Sequence, residues 1–164
     1  MWKVRKSKVH GKGIIATENI KKNTRIIQYI GKKVTKKEGD KRSEKRLNKY
    51  LNSETTGSVY IFELNNKYDI DGSVLYNKAR YINHSCDPNC EVDIINGEIW
   101  ISSIKKIKKG DELSYDYGYE FNKNDFKDHR CECGAKECIG FIISSDNWNK
   151  YKKYMNRIIN KRIT

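Results

Sequence analysis

Residues 80–90 read Arg-Tyr-Ile-Asn-His-Ser-Cys-Asp-Pro-Asn-Cys, and together with the Cys-Glu-Cys-Gly run that begins at Cys131 they govern how the rest of the chain is read. A short apolar step, Tyr81 and Ile82, leads into a polar loop that holds the only proline, Pro88, and two of the five cysteines. The natural partners of the first of these, Cys86, lie more than a quarter of the chain away, at Cys131 and beyond. A site made from them has to be assembled by folding, where two distant segments meet.

Five is an odd number of cysteines, and Cys131, Cys133 and Cys138 are packed as CxC followed by a third after four intervening residues. In a reducing compartment that spacing favours a metal over disulfides. Zinc takes four thiolate or imidazole ligands in a tetrahedron, and the three clustered cysteines supply three of them from one short loop, with Gly134 allowing the tight wrap. The fourth ligand has to come from elsewhere, and Cys86, Cys90, His84 and His129 are the candidates. Cys86 is preferred, and four sulfurs would close the site to catalysis. Cys90 is expected to be a small buried thiol. His10 and His129 are read as ordinary polar residues.

With 164 residues, 37% hydrophobic and 34% charged, the chain suits one domain with a modest core and appendages. No apolar run approaches the ~18 residues of a membrane span. The start, Met-Trp-Lys-Val-Arg-Lys, lacks the apolar stretch of a secretory signal, so a cytoplasmic protein that does not meet membranes is expected. The net charge of +13 is uneven: residues 1–50 carry 17 basic against 4 acidic side chains, 51–104 carry 3 against 8, and 105–164 carry 14 against 9. A basic exterior thus flanks an acidic middle, which fits either solubility or contact with nucleic acid.

Short β-like runs dominate. Residues 4–15 read as strand, turn at His10-Gly11-Lys12-Gly13, and strand; residues 24–34 read as a further β segment. Residues 35–52 have few apolar anchors (Leu47, Tyr50, Leu51) and suit a solvent-facing helix inserted between strands. Residues 58–64 and 67–70 alternate about Asn65-Asn66, and residues 75–82 suggest a helical turn. Residues 91–95 and 98–104 flank Asn96-Gly97, the dipeptide favoured in two-residue hairpins because both positions accept positive φ. A turn at 108–111 leads into 112–119. Residues 146–162 place Trp148, Tyr151, Met155, Ile158 and Ile159 at helical spacing behind Ser145, a plausible N-cap. Many short strands with one or two helices indicate a mostly β fold of small sheets.

Taken in order, His10-Gly11-Lys12-Gly13, the 80–90 loop, Asp111-Glu112-Leu113-Ser114-Tyr115-Asp116-Tyr117 and the cysteine cluster resemble the SET-domain protein-lysine methyltransferases with a post-SET zinc segment, of the small bacterial or viral type. The resemblance runs across about residues 3–143. It implies small curved β-sheets around a knot-like crossing of the 83–90 loop with 111–119, few short helices, and a C-terminal helix. It divides the chain into a SET domain at 1–122, a post-SET zinc segment at 123–144 and an amphipathic helix at 145–164. The implied activity moves a methyl group from S-adenosylmethionine to a lysine amine.

The same resemblance assigns roles. Lys12, Gly13 and Ile14 would form one wall of the cofactor site, with Tyr60 beside it, Asn83 and His84 bonding its polar groups and Phe141 closing over the adenine. Tyr117 would be catalytic, with Tyr29 across a channel that shields the lysine stem, and Tyr115 at the switch position that limits methylation to one or two groups. Cys86, Cys131, Cys133 and Cys138 would hold structural zinc. Arg80 and Asp116 are expected to pair beneath the crossing. The implied partner is a histone or another basic, DNA-associated protein, met in the cytoplasm or in a host nucleus, by a monomer or homodimer with some contact to nucleic acid. Residues 35–57, which would guide the substrate, are strongly basic here. The rival is a zinc-stabilised nucleic-acid-binding module without catalysis, in which the charge does the work.

Overall fold

A computed structural model describes residues 1–51 and 59–163, with the side chains of 50, 51 and 161–163 outside that description. Asn52 at the end of the expected helix, Ser58 at the start of the expected hairpin, and the guide segment beyond residue 51 fall outside it as well. The first strands are β1 (Trp2–Lys6) and β2 (Lys12–Ala16), antiparallel with Val4 opposite Ile14. Their connection turns at Gly11, whose φ of 52° lies in the left-handed region open to glycine.

The segment at 24–34 is two strands, β3 (Arg25–Tyr29) and β4 (Lys32–Thr35), which lie in different sheets. The break falls at Gly31, where a Cβ would collide with the carbonyl oxygen of Asp71. A helix α1 (Lys36–Leu51) follows, then β5 (Ile61–Glu63) and β6 (Tyr68–Asp71), giving a sheet ordered β4-β6-β5. The β5–β6 turn is held by the Asn65 side chain, whose Oδ1 accepts from the backbone of Lys67 and Tyr68. α1 is anchored by charge. Arg42 and Arg46 reach the buried Asp71 at 2.9 and 3.1 Å, and Lys36 reaches the buried Asp69 at 2.8 Å.

The expected helical turn at 75–82 narrows to a 3-10 turn, Ala79–Tyr81, followed by the two-residue strand β7 (Asn83–His84). The hairpin of β8 (Cys90–Ile95) and β9 (Glu98–Ser103) forms about Asn96-Gly97 with φ of 51° and 78°, and β3 completes its sheet. Of residues 112–119 only β10 (Ser114–Tyr115) is extended pairing, parallel to β7, with Ser114 opposite Asn83 and Tyr115 opposite His84. Parallel strands need no hairpin between them, so this pair joins segments remote in sequence.

Around that pair the chain is threaded. Leu113 donates its N–H to Ile14 at 2.8 Å and Ala16 donates to Asp111 at 2.9 Å, placing residues 111–115 between β2 and the 83–90 loop. Asn89 fastens the other side: its Nδ2 donates to the carbonyl of Glu112 at 2.8 Å, and its Oδ1 accepts from the Ser114 N–H at 2.9 Å. Ile14, Ile82, Ile99, Ile101, Ile107 and Leu113 form the buried centre beneath. Each such side chain contributes about 1.5–3 kcal/mol of apolar burial.

A second apolar cluster, Phe121, Phe126, Ile143 and Tyr151, lies under α2 (Trp148–Ile163). Trp148, Tyr154 and Met155 pack on it, so the C-terminal helix is seated on its own chain, while Ile159 stays exposed. Ser145 does not cap this helix. It begins a 3-10 turn, Ser145–Asn147, and its own N–H donates to Asp116. The mostly β architecture of small sheets with a C-terminal helix is the one the sequence implies.

Candidate active site and thiol cluster

The β7–β10 pairing sets a row of rings along one wall of a cleft of about 770 Å³. From one end the ring centroids run Tyr29 to Phe62 at 5.2 Å, Phe62 to Tyr115 at 6.3 Å, Tyr115 to Tyr117 at 5.0 Å, Tyr117 to Tyr119 at 6.0 Å and Tyr119 to His129 at 5.2 Å. Alternation along 115, 117 and 119 turns all three tyrosines to the same side. The hydroxyl of Tyr117 donates to the carbonyl of Ile82 at 3.0 Å, and that of Tyr29 donates to the carbonyl of Tyr60 at 3.0 Å. Close packing of Tyr29 requires Gly72, since a Cβ there would strike the phenol ring.

Burial pushes the phenols of Tyr29, Tyr115 and Tyr117 well above their ordinary value, and their mutual proximity adds to it. All three are neutral hydrogen-bonding groups at physiological pH, and none is a base.

The same cleft is lined by Gly11, Lys12, Tyr60, Arg80, Tyr81 and Asn83. Of the residues expected around a cofactor, Lys12, Tyr60, Asn83 and His84 line the cleft. Gly13, Ile14 and Phe141 do not. Ile14 is fully buried in the core, and Gly13 lies against Glu112, whose carboxylate a Cβ would strike. Phe141 meets Phe126 edge to face at 4.9 Å within the C-terminal cluster, leaving its neighbour Ile142 on the cleft.

Asn83 is held firmly. Its Nδ2 lies within bonding distance of Glu112 Oε1 (2.8 Å), Ser7 Oγ (3.0 Å) and the carbonyls of Lys12 (3.1 Å) and His10 (3.2 Å). Ser7 in turn donates to Glu112 at 2.7 Å, so Ser7 and Glu112 fix the 7–12 loop against β7.

The expected ion pair between Arg80 and Asp116 is not formed. Arg80 donates to the carbonyl of Ser73 and to the Tyr81 hydroxyl, and its guanidinium lies 5.3 Å from the Tyr60 ring and 4.8 Å from that of Tyr81. Asp116 instead accepts from the N–H groups of Gly118 and Ser145. Each has nearer partners than the other. Arg80 Nε is buried without a partner, and the side chain lines the cleft.

Beside the cleft, which Cys131 also lines, the sulfurs of Cys86, Cys131, Cys133 and Cys138 lie within 4.8 Å of one another, with Cys86 at 3.8 Å from Cys131 and 3.7 Å from Cys138. Four ligands at the usual zinc–sulfur length of ~2.3 Å in a tetrahedron are about 3.8 Å apart, so the four thiols fit a single ion. Burial raises Cys86 to about 12 and also raises Cys131. Burial also opposes ionisation of Cys133, but N–H groups of Cys86 and Ala135 bring it down to about 7. Cys90 is the small buried thiol expected, bonded to Asn89 Oδ1.

His84 links this cluster to the wall. The Tyr117 N–H donates to His84 Nδ1 at 3.2 Å, so the ring proton sits on Nε2, which faces Cys86 Sγ at 3.6 Å. Burial holds the imidazole below its ordinary value despite Asp116 at 3.8 Å. The sequence reading misses Phe62, Tyr119 and the cleft-side place of Arg80. The period-2 spacing of 115, 117 and 119 is a signal for Tyr119; nothing local marks Phe62.

Small sheets about a threaded pair of segments, with an aromatic cleft and four converging thiols beside it, form the architecture that the sequence motifs imply. The chain belongs to the SET-domain family: the pattern of the SET domain matches residues 11–118. It is 36% identical over 137 residues to "Histone-lysine N-methyltransferase 2D" of Homo sapiens, covering 81% of this chain and 2% of that protein. It is 37% identical over 141 residues to "Histone-lysine N-methyltransferase, H3 lysine-4 specific" of Aspergillus oryzae, covering 84% of this chain and 11% of the relative. With "Histone-lysine N-methyltransferase set-2" of Caenorhabditis elegans the identity is 36% over 146 residues, covering 87% and 9%. The chain therefore spans only a small part of the length of these relatives.

Proposed function

We propose that the chain transfers methyl groups from S-adenosylmethionine to a lysine amine of a histone, with histone H3 the first substrate to test because a relative's name specifies it. The observation that carries this reading is one cleft lined both by the neutral phenols of Tyr29, Tyr115 and Tyr117 and by Gly11, Lys12 and Arg80. The cofactor fits the donors present: Lys12 stands at the cleft, and the unpartnered Nε of Arg80 leaves positive donor capacity for a carboxylate. When bound, S-adenosylmethionine supplies a methyl group on a sulfonium.

The chain's part is placement and exclusion of water. The rings of Tyr29, Phe62 and Tyr115 shield a lysine stem, and the Tyr117 hydroxyl, with its proton committed to Ile82, offers lone pairs to an incoming amine N–H. Because the phenols stay protonated, the amine has to shed its proton to water, and an apolar slot favours its neutral form. In this reading Tyr115 limits the space for added methyl groups. Cys86, Cys131, Cys133 and Cys138 would hold one structural zinc ion and fasten the 123–144 segment to the 80–90 loop. The helix seated on its own chain favours a monomer, and the basic exterior favours a substrate associated with nucleic acid.

Incubation with labelled cofactor, core histones and basic proteins tests the proposal. Transfer to at least one of them, abolished by Tyr117→Phe, is expected. Cofactor binding too weak to detect would remove the enzyme reading and leave the nucleic-acid-binding module in its place.

A further inference from the structure

Two lysine-rich turns, far apart in sequence, close on each other at the ends of β2 and β3 remote from the cleft. Ile20 and Ile107 exchange backbone hydrogen bonds at 2.8 and 3.0 Å, and both side chains are buried beneath the junction. Further bonds stiffen it. The Ser103 hydroxyl donates to the carbonyl of Lys21 at 2.6 Å, the Asn23 N–H donates to Ser103 at 2.7 Å, and the Lys109 N–H donates to Asn19 Oδ1 at 2.9 Å.

Above this platform Lys21, Lys22, Lys106, Lys108 and Lys109 are exposed, and among the described residues none of the five has an ion-pair partner. The neighbouring charges are otherwise engaged. Lys105 pairs with Asp87 at 2.7 Å, Glu18 faces the amino terminus at 3.7 Å, and Asp111 accepts from the Lys108 backbone at 2.8 Å. Five like charges held close on a rigid surface repel one another, and a polyanion relieves that cost.

We propose that this platform docks the phosphate backbone of duplex DNA. Its chemistry separates that partner from other anionic ones. Neither turn exposes a large apolar side chain, and the one beside them, Met1, is a single exposed residue rather than the apolar face that a lipid interface needs. Of the rings beside it, Trp100 is covered by the Arg25 guanidinium at 5.1 Å, and Trp2, opposite Ala16, packs half-buried against the core, which disfavours stacking on single-stranded bases. What remains is fixed positive charge, which suits a regular array of phosphates. β3 runs from Arg25 at the platform to Tyr29 on the cleft wall, so four residues at ~3.3 Å each separate the two sites and docked DNA would lie beside the cleft. The consequence for substrate choice rests on the methyltransfer reading: a histone would be met on DNA rather than as a free tail.

The test is anisotropy of the full chain with a labelled mixed-sequence duplex across a salt series. The variant Lys21→Gln/Lys22→Gln/Lys106→Gln/Lys108→Gln/Lys109→Gln is expected to make the slope of log K against log salt shallower by about 0.9 for each phosphate no longer neutralised, up to ~4.5 in all. Equivalent neutralisation of Lys150, Lys153 and Arg157 on α2 is expected to leave most of the slope. If the five-site variant unfolds, as read by thermal melting, the pair Lys22→Gln/Lys106→Gln replaces it with a proportionate change. An unchanged slope in a folded variant would overturn the proposal. So would tighter binding to phosphatidylserine vesicles or single-stranded RNA than to the duplex. Salt-dependent binding without any methyl transfer would sink the catalytic reading and leave the docking surface standing.

Discussion

The Tyr117 hydroxyl gives its proton to Ile82, the residue just before the strand that carries Asn83 and His84, so one side chain measures the register of both crossing segments. Tyr117→Phe removes that bond and the lone pairs offered to an amine. Methyl transfer is expected to fall ~10²-fold or more, by analogy with the loss of one positioned polar group at a reacting centre, with an unchanged circular dichroism spectrum. A change under threefold would disprove the assignment. Tyr115→Phe is expected to spare the rate and raise the proportion of higher methylation states, read by mass spectrometry. Tyr117, Asn83 and Cys86 can be singled out from the sequence because they stand in dense, unusual motifs. Their partners cannot. Asn83 meets Ser7 and Glu112 through tertiary closure, and opposite charges suggest pairing Arg80 with Asp116 while the carbonyl of Ser73 leaves no mark in a sequence.

At the scale of elements, α1 illustrates how a helix with almost no apolar face can still be fixed. Asp71 is buried, which works against its charge, but hydrogen bonds from Arg46 and Arg42 prevail and hold its carboxyl well below the usual range. Stability from this contact is therefore fully present above the unfolded value of ~3.9 and is lost as pH falls below it toward the depressed folded value. Asp71→Asn is expected to cost about 2–3 kcal/mol at neutral pH, less than a fully buried pair because both arginines are partly exposed. The difference from the unaltered chain should shrink in urea titrations as pH drops below ~4. The thiol cluster makes a second prediction at this scale. Purified protein is expected to carry one zinc ion per chain, and Cys86→Ser should lower the affinity at least tenfold and weaken attachment of the 123–144 segment, seen as faster hydrogen exchange. Full metal affinity in that variant would remove Cys86 from the ligand set. The hairpin at Asn96-Gly97 is readable from two residues alone, whereas the division of 24–34 between two sheets is not, because Gly31 is required by the approach of Asp71 from another strand.

Across the whole molecule, two apolar centres divide the work: one under the β7–β10 crossing, the other joining Phe121 and Phe126 to α2. Tyr151 closes the second, and Tyr151→Ala is expected to destabilise it by about 3–4 kcal/mol. Hydrogen exchange should then show residues 121–160 opening before the central strands; simultaneous opening would mean that the centres are one cooperative unit. Helical spacing identifies Trp148, Tyr151 and Met155 as the packing face, but extends it to Ile159, which stays exposed. The threaded pairing of 83–84 with 114–115 also bears on how the protein is made. While the ribosome is still adding residues before 131, the polypeptide lacks three of the cluster's four thiols, so the metal that we propose braces the loop carrying Asn83 would have no complete ligand set until Cys138 has been added.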